Sequence, residues 1–304
     1  MKRFTLVILA SIAPLILGSC QEKLDWEVKW DTISGDPDST DGQEMIVYEE
    51  ILTLNGNRNP YPQGGDCWGD YFFQFVSNNS IVRIYDLSLK TLVQTLTIPA
   101  SQRGFVSNCH CNTVSFGSEY YDAEDLFPLI YVSTGYPSGD YMGALVYRIT
   151  LHNGRFFITL VQTLKFPIDN SPWTEFIPAG EFAYLCYTQE RVIFKVKMPK
   201  LKDGDVILGR NDALESYQFK PQSGWLATSK NQDRMFFQGK IVFPTGAPQA
   251  GEASAFVVLN LETCERERII DLKKNGLISE PESIFIWQGD ICVAFVDKIV
   301  KLYL

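Results

Sequence analysis

The chain has 304 residues, with 36 Asp and Glu against 27 Lys and Arg, and a formal net charge of −9 at pH 7. This acidic balance argues against nucleic acid or anionic lipid headgroups as partners, because both repel negative charge. With 45% hydrophobic residues the chain is long enough to bury a sizeable core, so its seven cysteines are not needed as a disulfide framework.

The first predicted element is a secretory signal. Lys2 and Arg3 precede the apolar run FTLVILASIAPLILGS, which is short for a membrane span and is interrupted by Pro14. The residues that follow, CQEKLDWEVKWD, are strongly polar and contain no basic stop-transfer cluster. The pattern therefore predicts an exported protein.

The end of this signal, LGSC at residues 17–20, resembles the lipobox of bacterial lipoproteins. The resemblance implies that residues 1–19 are a lipoprotein signal peptide and that Cys20 carries the lipid. Acyl chains contribute about 0.8 kcal/mol per buried CH₂, so two or three of them give stable attachment. We expect a membrane-anchored protein of the outer membrane, facing the periplasm or the cell exterior. The alternative is an ordinary secretory signal that is cleaved near a cysteine.

Residues 20–44 are predicted to be the lipidated N-terminal tether, since the stretch SGDPDSTDG at 34–42 is polar, acidic and rich in turn-forming residues. After the tether, short runs rich in Val, Ile, Phe, Tyr and Thr alternate with Gly, Asn, Asp and Pro, which is typical of strands and turns. Hairpins between a first and a second strand are predicted at four glycines: Gly69, Gly180, Gly239 and Gly289.

A third strand follows each of these hairpins, and a further unit is formed by CNTVSFG and PLIYVSTG around the longer loop SEYYDAEDLF. Units about 50 to 60 residues apart predict an all-β fold, a β-propeller of five four-stranded blades over residues 45–304. The last unit ends with its third strand at Leu304. Residues 45–54, MIVYEEILTL, are therefore predicted to supply its outer strand and close the ring.

The runs IVRIYDLSLKTLVQTLTIP and LIYVSTG resemble the repeats of YVTN and WD-type propellers. The resemblance implies a disc with a central channel and a binding site at one channel mouth. Six blades or a β-sandwich remain alternatives, because the segment 200–219 is long enough to contain extra strands.

The cysteines and histidines are expected to be structural for the most part. Cys186 and Cys292 lie within apolar strands and are predicted to be buried. In the stretch CHC at 109–111 an extended chain would point both thiols to one side. Two alternatives are open: a disulfide from Cys67 to one of this pair, or reduced thiols packed in the core. A zinc site is not expected, because no second pair of cysteines or histidines has ligand spacing. His152 is predicted to lie in a solvated turn.

The candidate site is the channel mouth where the inner strands begin. Alignment of the units on their glycines places Trp173, Gln232 and Glu282 at one level. Acids, amides, an imidazole and indoles around one axis would suit a polar, ring-containing ligand such as a saccharide. The competing interpretation is a polar mouth filled by water. The predicted ligand-binding residues are Asp66, Trp68, His110, Asn112, Trp173, Glu175, Gln232 and Glu282.

No nucleophile elbow, phosphate loop, zinc helix or dinucleotide fingerprint occurs, and no cofactor is predicted. We therefore expect a binding or interaction module for glycans or envelope proteins. A purely structural subunit of an envelope complex is an alternative that the sequence does not distinguish from a binding module. The enzymatic alternative is a hydrolase or lyase acting on polysaccharide, in which Asp66, Glu175 or Glu282 would act with His110.

Overall fold

The computed structural model describes residues 45–54, 60–106, 109–168, 173–188, 191–220, 230–252 and 254–303. The predicted signal peptide, Cys20 and the predicted tether lie outside these ranges. Within them, no helix has the length and apolar character needed to cross a membrane. The helices of the described residues are single 3₁₀ turns: Ser77–Asn79, Ala100–Gln102, Leu201–Asp203, Arg210–Asp212 and Pro248–Ala250.

The described residues form five sheets, which are the blades of a β-propeller. Strands are given from the axis outward. Blade 1 consists of β2 (Pro62–Trp68), β3 (Tyr71–Val76), β4 (Ile81–Asp86) and β5 (Thr91–Thr97). Blade 2 consists of β6 (Val114–Phe116), β7 (Ile130–Ser133), β8 (Tyr141–His152) and β9 (Arg155–Pro167). Blade 3 consists of β10 (Thr174–Ala179), β11 (Phe182–Tyr187), β12 (Val192–Lys197) and β14 (Ala213–Gln218). Blade 4 consists of β15 (Met235–Phe237), β16 (Lys240–Thr245), β17 (Ala255–Asn260) and β18 (Glu265–Asp271). Blade 5 consists of β19 (Pro281–Trp287), β20 (Asp290–Phe295), β21 (Lys298–Tyr303) and β1 (Val47–Thr53).

The ring is closed by the N-terminal strand, as predicted. In blade 5, β1 pairs antiparallel with β21, so that Val47 lies opposite Tyr303 and Thr53 opposite Lys298. Ile51 on this strand is only 3% exposed and packs into the core between blades 5 and 1. The closure joins the first and last strands of the described residues and covers the edge that β21 would otherwise present to solvent.

The glycine hairpins are also confirmed. The four glycines used to align the units lie between the first and second strands of their blades, and all have positive φ, from 59° to 87°. At the last hairpin Gln288 and Gly289 have φ of 49° and 87°, both in the left-handed range that tight hairpin turns favour.

The segment 200–219 contains two strands and no additional blade. The short strand β13 (Val206–Ile207) pairs in parallel with β9 at the outer edge of blade 2. The following strand β14 is the outer strand of blade 3, where it pairs with β12. The propeller therefore has five blades rather than six, and the long segment connects the third and fourth strands of blade 3 by way of the outer edge of blade 2.

Apolar faces of neighbouring blades pack against each other and form the core. Phe72 of blade 1 stacks on Phe285 of blade 5 with ring centroids 4.5 Å apart. Tyr184 of blade 3 and Phe236 of blade 4 stack at 4.9 Å. Aromatic rings supply the large volume needed to fill wedge-shaped gaps between twisted sheets.

One carboxylate joins four blades near the axis. Asp233 lies two residues before the inner strand of blade 4 and is completely buried. Its Oδ1 accepts hydrogen bonds from the backbone N–H of Arg234 at 2.7 Å and of Val114 at 3.2 Å. Its Oδ2 accepts from the N–H groups of Gly65 and Ile284, each at 3.4 Å. The inner strands of blades 1, 2 and 5 are thus tied to blade 4 through a single side chain.

Candidate functional site

A cavity of about 1350 Å³ opens on the face of the disc where the inner strands begin and continues between blades 3 and 4 to their outer strands. The connections from second to third strands, which include Ser77 and Thr188, reach the same face. All five blades contribute to its lining. The residues nearest the axis are Tyr61 and Gln63 from blade 1, His110 and Asn112 from blade 2, Trp173 and Glu175 from blade 3, Gln232 and Arg234 from blade 4, and Glu280 from blade 5.

Three rings form one side of the cavity, which we term the aromatic wall: His110, Tyr136 and Trp173. The centroids of His110 and Tyr136 are 5.0 Å apart, and those of Tyr136 and Trp173 are 5.3 Å apart. Tyr136 belongs to the connection between β7 and β8, so it stands between residues that precede the inner strands of blades 2 and 3. The wall is therefore a continuous aromatic surface across two blades.

Two glycines make room for the segment that carries His110. The backbone N–H of His110 donates to the carbonyl of Thr134 at 2.6 Å. A Cβ at Gly135 would lie 2.6 Å from the Cβ of His110, and a Cβ at Gly64 would lie 2.6 Å from the carbonyl oxygen of Cys111. Both distances are shorter than atomic contact allows, so only glycine permits this close packing.

His110 is neutral at neutral pH. Burial, followed by the positive charge of Lys230, lowers the pKa of His110 to about 4. A neutral imidazole has one nitrogen that donates and one that accepts a hydrogen bond. The wall thus offers a ligand both kinds of polar contact at its His110 end.

The floor of the cavity holds a buried ion pair. Glu175 and Arg234 pair with each other, and their side chains are only 4% and 5% exposed. Asn112 donates to Glu175 and lies 3.4 Å from the carbonyl oxygen of Gln232. Arg234 also donates to the hydroxyl of Thr188 at 3.2 Å. The carboxylate of Glu175 is therefore held by fixed partners from two other blades.

Blade 5 places Glu280, rather than the predicted Glu282, in the cavity. Glu280 accepts hydrogen bonds from the hydroxyl of Tyr61 and from the side-chain amide of Gln232. Glu282 is 1% exposed, and its Oε1 has no hydrogen-bond partner among the described residues. A bulge between Pro281 and Ser283 shifts the strand register at this point. Burial, followed by the charges of Glu280 and Asp233, raises the pKa of Glu282.

The other predicted residues divide into two groups. His110, Asn112, Trp173, Glu175 and Gln232 line the cavity. Asp66 is buried deeper along the channel, where its carboxylate accepts from the backbone N–H groups of Cys67 at 2.7 Å and Phe116 at 2.8 Å. Trp68 lies at the opposite end of its strand, beside the hairpin, and packs on Phe116 and Tyr120.

Several lining residues were missed by the sequence analysis: Tyr61, Gln63, Tyr136, Lys230, Arg234 and Glu280. The position of Arg234 in the cavity could have been predicted from its spacing to Gln232. It lies two residues after Gln232, as Glu175 lies two residues after Trp173, and alternation along an extended chain places such pairs on one side. Tyr136 had no such signal, because its loop has no fixed spacing to an inner strand.

The cysteines of the described residues are free thiols. Cys67 packs with Phe72 and Phe285 between blades 1 and 5, whereas Cys109 and Cys111 pack in the core between blades 1 and 2. His152 is exposed at the end of β8, next to the hairpin turn of blade 2. Nowhere in the described ranges do three or more His, Cys, Asp or Glu side chains come together as a metal site.

Comparisons with known proteins give distant similarities. No protein-family model and no curated protein sequence matches the chain. The glutaminyl cyclase of Myxococcus xanthus is 12% identical, with a TM-score of 0.47 over 84% of this chain and 96% of that one. The tail fibre of Staphylococcus aureus phage P68 is 9% identical, with a TM-score of 0.47 over 84% of this chain and 52% of that one. Apo AztD from Citrobacter koseri is 13% identical, with a TM-score of 0.33 over 69% of this chain and 47% of that one. These similarities are too weak to assign a function.

Proposed function

We propose that the protein is an exported lipoprotein whose propeller binds a saccharide in the cavity at the channel mouth. The observation that carries this proposal is the aromatic wall, His110, Tyr136 and Trp173, facing a cavity with polar groups on its other sides. The C–H face of a sugar ring packs on aromatic rings, while its hydroxyls need fixed donors and acceptors nearby. Lys230, Gln232 and Glu280 are in position to supply them.

The arrangement of the carboxylates favours binding over hydrolysis. A glycosidase needs two carboxyl groups that face the scissile bond and are free to exchange protons. Glu175 is committed to Arg234 and Asn112, and Glu282 is buried. Glu280 faces the cavity but already accepts hydrogen bonds from Tyr61 and Gln232. A concave site lined by all blades also suits a small ring better than the flat surface of an envelope protein.

The proposed location depends on the N-terminal residues. The lipobox-like LGSC and the basic, apolar stretch before it support lipidation at Cys20. In this arrangement the polar residues between Cys20 and β1 connect the propeller to an outer-membrane anchor, and the ligand is a glycan present in the periplasm or outside the cell.

A glycan array probed with the purified full-length protein tests the proposal. Trp173→Ala and Tyr136→Ala should each reduce the affinity for any bound glycan at least about tenfold, since each removes part of the wall. Phe157→Ala is the matched control, because Phe157 is an exposed aromatic residue on the outer strand of blade 2. All three variants should melt within a few degrees of the wild type.

Two results would contradict the proposal. One is the absence of binding to every saccharide on the array, and the other is equal binding by the wall variants and the Phe157→Ala control. Chromatography of a bound glycan after prolonged incubation separates the two classes of function. Cleavage products would show that the protein is an enzyme rather than a binding module.

A further inference from the structure

The thiols of Cys109 and Cys111 lie next to each other beneath the aromatic wall. Their sulfur atoms are 3.4 Å apart, and the residues are 2% and 0% exposed. A disulfide bond is about 2.05 Å long, so the sulfurs need to approach by only about 1.4 Å to form one. Small rotations about the Cα–Cβ bonds can supply such a movement.

The backbone of this stretch brings the thiols together in a way that an extended strand does not. Cys111 has φ of +55°, a left-handed conformation that side chains other than glycine seldom adopt. The carbonyl of Cys109 accepts from the N–H of Asn78 at 2.6 Å, and that of Cys111 accepts from the N–H of Gly64 at 2.9 Å. Strain of this kind persists only where the surroundings enforce it, and it is concentrated at functional sites.

We propose that Cys109 and Cys111 form an intramolecular disulfide when the protein is exposed to a disulfide oxidant. The oxidant is another disulfide, such as oxidised glutathione or the disulfide of a thiol oxidase. Burial raises the pKa of the Cys111 thiol and keeps both sulfurs from solvent, so the exchange takes place during folding, before the core between blades 1 and 2 closes. One cysteine thiolate then attacks the oxidant, forming a mixed disulfide and releasing one thiol. The second thiolate then attacks the sulfur of the first cysteine and releases the other thiol. Two protein thiols are oxidised, one oxidant disulfide is reduced to two thiols, and these take up the two protons.

The disulfide would act on the cavity through the residue between the two cysteines. His110 is the first ring of the aromatic wall, and its backbone N–H is held by Thr134 of blade 2. Closure of the bond fixes the backbone on both sides of His110. The oxidation state of the pair is thereby linked to the position of the imidazole in the wall, independently of which ligand the cavity takes.

Peptide mapping tests the proposal directly. Trypsin cleavage after Arg103 and Arg148 gives a peptide that contains Cys109 and Cys111 and no other cysteine, while Cys67 lies in the separate peptide 59–83. The full chain is oxidised with glutathione disulfide, both in the native state and during refolding, and is then alkylated in denaturant. We expect an unalkylated peptide 104–148 about 2 Da lighter than its reduced form, the mass of two hydrogens.

Two results would overturn the proposal: a doubly alkylated peptide 104–148 after both treatments, or a cross-link from this peptide to peptide 59–83. Cys111→Ser should abolish the 2 Da loss. Cys264→Ser should leave it unchanged and is a matched control, because Cys264 also has a left-handed backbone, with φ of +56°.

Proton NMR of the imidazoles tests the link to the cavity. The chain has two histidines, and His152 is exposed and remote in sequence. The resonances of His110 should differ between the oxidised and reduced forms while those of His152 stay in place. Identical His110 resonances in both forms would refute the link.

Discussion

Replacement of Glu282 by Gln should make the protein more stable at neutral pH and no more stable at low pH. The Glu282 carboxyl group is buried, has no partner for Oε1 among the described residues, and has a raised pKa. A raised pKa in the folded state means that the fold keeps a proton which the unfolded chain loses above about pH 4.5, the ordinary value. This group's contribution to stability is therefore complete below pH 4.5 and declines as the pH rises toward the folded pKa.

The size of the effect follows from the proton that the fold must retain. Each pH unit between the unfolded and folded pKa values costs about 1.4 kcal/mol, so the wild type loses up to about 1.4 kcal/mol from this group for each pH unit above 4.5 until the folded pKa is reached. Glutamine has nearly the same shape and carries no charge at any pH, so Glu282→Gln should not show this loss. Titrating groups that do not interact with Glu282 are common to both proteins and cancel in the difference.

Urea unfolding at several pH values from about 4 to about 6.5 measures this difference. The stability of Glu282→Gln relative to the wild type should rise from near zero by up to about 1.4 kcal/mol for each pH unit, in favour of the variant. Glu262→Gln is the control, because Glu262 is exposed, and its difference from the wild type should stay small. A difference for Glu282→Gln that does not change with pH would show that the carboxyl group is ionised in the fold and would refute the reasoning.

Three further outcomes are expected. Ile51→Ala should lower the free energy of unfolding, measured with urea, by about 2–5 kcal/mol, because the side chain is buried in the closing strand. Val47 on the same strand is 68% exposed, so Val47→Ala should change the free energy of unfolding by less than about 0.5 kcal/mol. Gly64→Ala should lower the melting temperature by several degrees, because its Cβ would strike a backbone carbonyl at 2.6 Å. The Cβ of Gly209→Ala would meet nothing closer than 3.9 Å, so this variant should keep the melting temperature of the wild type. Equal melting temperatures for Gly64→Ala and Gly209→Ala would contradict the packing argument. Cys20→Ala should abolish labelling with a radioactive fatty acid, and continued labelling would show that the lipid is attached elsewhere.

The fold could be predicted from the sequence because its local and global signals agree. Each alignment glycine stands where a hairpin needs a positive φ, and the strands on either side have β-rich compositions. Closure of the ring was predictable because the last unit lacked one strand and the N-terminal region contained an extra one. The role of residues 200–219 could not be predicted, because β13 has only two residues and therefore no periodicity to detect.

The site was predictable only as far as side-chain alternation held. In blades 3 and 4 counting back from the glycine placed Trp173 and Gln232 in the cavity. In blade 5 the bulge at Pro281–Ser283 inserts a register shift, so the count pointed to Glu282 while Glu280 faces the cavity. Blade 1 has a similar shift between Pro62 and Gly65. A bulge of this kind depends on tertiary packing and leaves no mark in composition.

The single carboxylate of Asp233 has a consequence for how the disc opens. In a chain of repeats, each unit contacts only its neighbours, and the ends can fray independently. Here the amide hydrogens of Gly65, Val114 and Ile284 all point to the same side chain from three different blades. We expect none of these amide hydrogens to exchange with solvent until the Asp233 carboxylate leaves its buried position. In deuterated buffer these three amides should therefore exchange together at the slow rate of global unfolding, so that five blades behave as one cooperative unit.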